Sequence, residues 1–267
     1  MDLESYREEL LLEAQLSASC IGSGLTALAH HDFASKGRFF AGLFGLTIGL
    51  ERLLKLELVL DFALTNQTMP SNAYLKKHGH QLTDLFDTVR RINAHRSLGV
   101  DETAIRDPLV VRIIDILSRF ATRSRYYNLD AITGGSALSP EEPLKEWSQQ
   151  IGAEILKRHH RVTKTMIRDI SFGKIVDRAG GVLVHHTADD GMEIGSVESL
   201  TRHAMEADTK QRYAVLYAYG VVSYGINILS KLDYLFRPIL YLHEAFAYFY
   251  DQPRKAVLRR KRWEPYP

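Results

Sequence analysis

The chain has one cysteine, Cys20, in 267 residues. A lone thiol excludes an internal disulfide and a cysteine-based zinc site, and it fits a reducing compartment better than a secreted one. Eight prolines and 18 glycines are too few for a fibrous or low-complexity protein. The opening Met1-Asp-Leu-Glu-Ser-Tyr-Arg-Glu-Glu lacks the basic-then-apolar order of a signal peptide. Long apolar runs are also missing. Phe39 to Leu50 is followed at once by Glu51, Arg52 and Lys55, and Ala214 to Ser230 carries Tyr, Ser and Asn. Both fall short of the roughly 18–20 residues of a membrane span and read as buried helices. The expectation is a soluble, cytoplasmic protein without a membrane partner.

What is present is ordinary globular composition, 45% hydrophobic and 25% charged, enough for one large or two small domains. The net charge of +2 hides an asymmetry: Arg254, Lys255, Arg259, Arg260, Lys261 and Arg262 lie in nine residues without an acid. The rest of the chain is mildly acidic.

Helical periodicity dominates, so the expected fold is all-α, a helical bundle with added C-terminal helices. A first helix is expected from Leu3 to His30, bent by Gly22-Ser-Gly24, and a second from Lys36 to Leu64. In the second, Leu50, Leu53, Leu54 and Leu58 share one face, on which Glu57 and Asp61 intrude and need a partner or a wet groove. A third helix follows from His80 to His95. A fourth starts at Asp107-Pro108 and reaches Tyr127, and a fifth runs from the capping-box spacing Ser139/Glu142 to Ile170. Phe172 to Gly195 reads as a short hairpin or an ordered loop, with Val182-Leu-Val-His-His186 and the turn Asp189-Asp-Gly191. Helices are expected again over Val197 to Phe236, broken near Asp208, and over Pro238 to Tyr250. The division expected is a core of residues 3–170, a helical extension of residues 171–251 and a basic tail of residues 252–267.

Gly49-Leu-Glu-Arg-Leu-Leu-Lys-Leu-Glu57, then Lys76-Lys-His-Gly-His-Gln-Leu-Thr-Asp-Leu85, then Arg123-Ser-Arg-Tyr-Tyr-Asn-Leu-Asp130 together resemble the HEPN superfamily of small helical domains. The similarity lies in a Glu-x-x-x-Lys core, here Glu51 and Lys55, and a Gly-His-x-Leu turn, here Gly79 to Leu82. It covers about residues 3–170. The resemblance implies a homodimer in a toxin–antitoxin or antiviral defence system, with RNA or a partner protein as binding partner. It also implies a metal-independent ribonuclease without cofactor or metal, whose signature is an Arg and a His separated by four to six residues. A cation holds the phosphate, an imidazole moves protons and the RNA 2′-hydroxyl attacks. Other members lack the pair and bind RNA, a nucleotide or a protein without catalysis.

Chance alone predicts about three such pairs in a chain of this composition, and there are three: Arg90/His95, Arg178/His185 and Arg237/His243. Context favours the first, inside the resemblance at a helix end, with Arg91 and His95 on one helical face. Arg237/His243 is the second choice, and Arg178/His185 spans Gly180-Gly181.

Other constellations read more simply. Gly22-Ser-Gly24 follows a helix instead of a strand, so it is no dinucleotide loop. His78 and His80 with Asp84 or Asp87 lack a metal-site pattern. His185, His186, Asp189 and Asp190 form the densest cluster of ligand-capable side chains, and a polar turn explains it. The stripe Lys157-Arg-His-His-Arg161 suits phosphate or solvent. Arg123 and Arg125 beside Tyr126 suit RNA stacking and phosphate contact, and equally a helix C-terminus. The six-cation tail suits RNA as an electrostatic arm, or is simply solvated.

Overall fold

The computed structural model describes residues 4–133 and 142–263. Eleven α-helices surround one core that runs from Leu10 to Trp263, and the only strand pairing among the described residues is one antiparallel hairpin, His186–Thr187 with Glu193–Ile194. The fold is all-α with a small hairpin, as its periodicity implies.

Helix α1 (Arg7–Ala29) and α2 (Gly37–Asn66) form an antiparallel pair at the centre. α1 continues unbroken through Gly22-Ser-Gly24. Glycines serve close approach at this crossing. A Cβ on Gly24 would stand 2.6 Å from the Leu46 nitrogen, and one on Gly49 would stand 2.6 Å from the Ile21 side chain. The Ser17 hydroxyl donates to the Gly49 carbonyl across this crossing at 2.8 Å. Gln67, in the left-handed region at φ 54°, ends α2.

Ser71 caps a short helix, α3 (Asn72–Lys77). Next come α4 (Leu82–His95) and α5 (Pro108–Thr122), each with one apolar face turned to α2. The start expected at Asp107-Pro108 is present: the Asp107 carboxylate accepts the Leu109 N–H at 2.8 Å. α5 ends at Thr122, and a tight turn leads into α6 (Tyr127–Thr133).

The start expected at Ser139 lies outside the described residues. From Pro143 the chain is helical to His159, as α7 (Pro143–Trp147), a wide turn at Ser148–Gly152 and α8 (Ala153–His159). Arg161 to Thr163 interrupts the helix expected to reach Ile170. Thr163 then caps α9 (Lys164–Ala179), which runs through the division expected at Ser171. Only Gly173 of α9 is buried, against Glu198, so Ile167, Phe172 and Ile175 remain exposed.

After the hairpin, a capping box of Ser196 and Ser199 starts α10 (Val197–Tyr234), 38 residues without the break expected near Asp208. At about 1.5 Å per residue it is roughly 57 Å long. It is the one described helix long and apolar enough to cross a membrane, and 61% of its most apolar window is buried inside this fold. A run of tight helical turn, Leu242–Phe249, and the short α11 (Arg254–Val257) complete the chain instead of the expected helix from Pro238 to Tyr250.

The basic segment is not a free arm. Trp263 is fully buried, its ring near Phe249 and Tyr219, and its backbone N–H donates to the Thr26 hydroxyl on α1 at 2.9 Å. Of the six cations, Arg260 lies over Tyr248 and Trp263, and the Lys261 ammonium donates to the Ala29 carbonyl at 2.9 Å. Arg254, Lys255, Arg259 and Arg262 are exposed.

Candidate functional site

The intruding acids of α2 have different fates. Asp61 finds Arg96, which donates to both its carboxylate and its carbonyl. Glu57 is fully buried with neither oxygen hydrogen-bonded among the described residues, and burial pushes its carboxyl well above the usual carboxylate range.

The two motifs behind the HEPN resemblance meet in space. Glu51 on α2 accepts the Lys55 ammonium at 2.7 Å and His80 Nδ1 at 2.8 Å. Arg52 and Arg125 line the same open groove, and Arg52 donates to Glu13 of α1. The Arg125 guanidinium lies over Phe44, whereas Arg123 and Tyr126 face solvent.

The first-choice pair is not assembled. Arg90 donates to Glu102 at 3.1 and 3.3 Å, and Arg106 donates to the same oxygen. The two guanidinium partners hold the Glu102 carboxyl below its usual range despite partial burial. Arg91 donates to Thr88 at 2.9 Å. His95 is exposed in the last turn of α4, and among the described residues no hydrogen bond joins it to either arginine. Five residues turn a helix by about 500°, so Arg90 and His95 point in different directions. His185 of the third pair lies 3.4 Å from Glu193 across the hairpin instead of near Arg178.

The second-choice pair is assembled. Arg237 Nη2 lies 3.2 Å from His243 Nε2, and His243 Nδ1 lies 2.5 Å from the carboxylate of Asp233. Asp233 is fully buried at the end of α10 and also accepts the backbone N–H groups of Leu242 and His243, at 3.1 and 3.3 Å. It thereby fixes the turn that returns His243 to α10. The Arg237 guanidinium lies over Tyr234 and Tyr241, with centroids at 5.0 and 5.7 Å. Because Nδ1 donates to the carboxylate, Nε2 is left as the acceptor that receives Arg237. Sequence reasoning passed over Asp233. Its signal was a carboxylate on an otherwise apolar helix face.

The stripe at Lys157–Arg161 is largely structural. Arg158 donates to Glu154 and Asp107, and His159 stacks on Tyr213 at 3.7 Å with Nε2 on the Tyr217 hydroxyl. Burial first, then Arg254, Arg158 and Arg161, lowers the His159 pKa. Among the described residues no group of three or more His, Cys, Asp or Glu is placed to hold a metal ion. No protein-family profile, curated protein or solved structure matches the chain.

Proposed function

We propose that the chain is a HEPN-like, metal-independent endoribonuclease of a toxin or antiphage system, with Arg237 and His243 as its catalytic pair. The observation that supports this most is the contact between the two side chains, with His243 oriented from behind by buried Asp233. The pair lies outside the stretch that resembles the superfamily, so the reading rests on geometry and not on motif order.

In this reading the scissile phosphate draws the Arg237 guanidinium off His243, which frees Nε2. His243 then takes the proton of the RNA 2′-hydroxyl, whose oxygen attacks phosphorus, and the bond to the 5′-oxygen breaks with Arg237 on the phosphoryl oxygens. Asp233 stabilises the imidazolium that forms, as the carboxylate of a catalytic triad does. The 5′-oxygen requires a proton, and a second His243, from a homodimer partner and in its protonated form, is the donor consistent with one catalytic histidine per chain. The products are a 2′,3′-cyclic phosphate and a 5′-hydroxyl.

A second reading is a non-catalytic module that binds RNA, a nucleotide or a partner protein. One observation favours it: Nε2 already has a donor in Arg237.

Labelled RNA incubated with the protein in EDTA separates the two. Cleavage to cyclic-phosphate ends is expected, lost in His243→Ala and Arg237→Ala and unchanged in His95→Ala. No cleavage, or full activity in His243→Ala, overturns the ribonuclease reading.

A further inference from the structure

A cavity of about 90 Å³ opens between the end of α1, the wide turn after α7, and the first half of α10. The hairpin closes one side with Ala188, Asp189 and Asp190. None of it overlaps the Asp233–His243–Arg237 array.

Its floor holds an unusual pair. His31 is 9% exposed, and its Nε2 lies 3.0 Å from Asp189 Oδ2. The far atoms of both groups, His31 Nδ1 and Asp189 Oδ1, are buried with no hydrogen-bond partner among the described residues. A carboxylate oxygen accepts, and an imidazole nitrogen that carries no proton accepts as well. Buried acceptors without donors are rare, because burial strips their water. Two in one cavity call for a donor from outside the chain.

Charge defines that donor. The walls carry the carboxylates of Asp32, Asp189, Asp190 and Glu206 against one ammonium, Lys210, which lies 3.8 Å from Glu206. Two further lysines approach this region, and each is hydrogen-bonded elsewhere: Lys36 to the Ala188 carbonyl, Lys261 to the Ala29 carbonyl and Gln211. Trp147 and Phe33 add aromatic wall, the surface on which organic cations rest favourably.

We propose that this cavity binds a small organic cation, whose ammonium or guanidinium head donates to Asp189 Oδ1 while its carbon skeleton lies along Trp147 and Phe33. The site needs no nuclease activity and stands apart from the function proposed above.

The full chain is titrated with agmatine, putrescine and spermidine, with AMP as an anionic control, following melting temperature and heat of binding. At least one cation is expected to bind and raise the melting temperature, and AMP is not. Asp189→Asn keeps shape and removes charge, and should weaken that cation by about tenfold or more. Ala207→Leu fills the cavity from α10 with a good helix former and should abolish binding while the chain stays folded; it decides the matter should Asp189→Asn fail to fold. A cavity that holds only water leaves all three cations without effect, which overturns the proposal. Binding of AMP in their place, or equal cation affinity in the folded variants, overturns it too.

Discussion

Gly24 on α1 and Gly45 on α2 face each other so closely that a Cβ on Gly45 would lie 2.7 Å from the Gly24 Cα. The obstruction is backbone, including the Cys20 carbonyl at 2.7 Å, so no flexible side chain can swing away. Gly45→Ala should therefore cost about 1–3 kcal/mol, although alanine is the better helix former. Gly220 in α10 is the control, since its added Cβ would meet only Ala104 at 3.8 Å. Gly220→Ala should stabilise by about 0.5–1 kcal/mol. Urea unfolding of both variants measures the contrast, and equal effects would remove close packing as the reason for these glycines.

Glu57 makes stability depend on pH in the direction opposite to a salt-bridged acid. Its carboxyl is protonated in the fold, with a pKa well above 4.5, and ionises near 4.5 once unfolded. The native state thus holds the extra proton, and stability should fall as pH rises from about 4.5 up to the native pKa. The slope is at most about 1.4 kcal/mol per pH unit. Glu57→Gln keeps the shape and removes the proton, so the difference in stability between wild type and variant should shrink and then reverse with rising pH. A difference that is constant across pH would mean that folding does not shift the Glu57 carboxyl, and one that grows in favour of the wild type with rising pH would mean that it is paired.

Trp263 decides whether the C-terminal segment is structural. It fills a fully buried site between Tyr219, Phe249 and α1. Trp263→Ala should cost about 3–5 kcal/mol, and truncation after Gln252 more, since buried Val257 goes with it. Unfolding by urea reads this directly. An unchanged midpoint would restore the free-arm expectation.

Much of this fold is legible where local chemistry decides. Asp107-Pro108 announces its helix because an acid cap and a proline at the first turn act within three residues. The apolar face of α2 likewise needs only its own spacing. The rest depends on partners distant in sequence. Gly24 looks like a mere interruption of its helix until α2 is laid across it. Asp208 looks like a break, although it pairs with Arg212 one turn on and α10 continues. The basic run looks solvated because its anchor, Trp263, has no periodic pattern around it. At the candidate site, the Arg/His spacing is visible for three pairs, yet only buried Asp233 distinguishes Arg237/His243 from the others. Asp189 stands out in the sequence only as part of a polar turn, and nothing local pairs it with His31, 158 residues away.

The segment that carries Trp263 also separates two kinds of cation, and this gives the last prediction. Lys261 sits at the C-terminal end of α1, donating to the Ala29 carbonyl and to Gln211, where a positive charge opposes the helix dipole. Lys255, Arg259 and Arg262 are exposed, with no side-chain partner among the described residues. Lys261→Gln should lower stability by about 0.5–1 kcal/mol and leave RNA affinity nearly unchanged. Replacing Lys255, Arg259 and Arg262 together by Gln should do the reverse. Melting should hold, while RNA binding weakens and the slope of log affinity against log salt falls by about 2, as for three single-strand phosphates. Filter binding at several salt concentrations, alongside thermal melts, distinguishes these outcomes. An unchanged salt slope in the triple variant would mean that RNA, if bound, lies elsewhere, and Arg123, Arg125 and Tyr126 beside the Glu51–Lys55–His80 groove would be the next surface to neutralise.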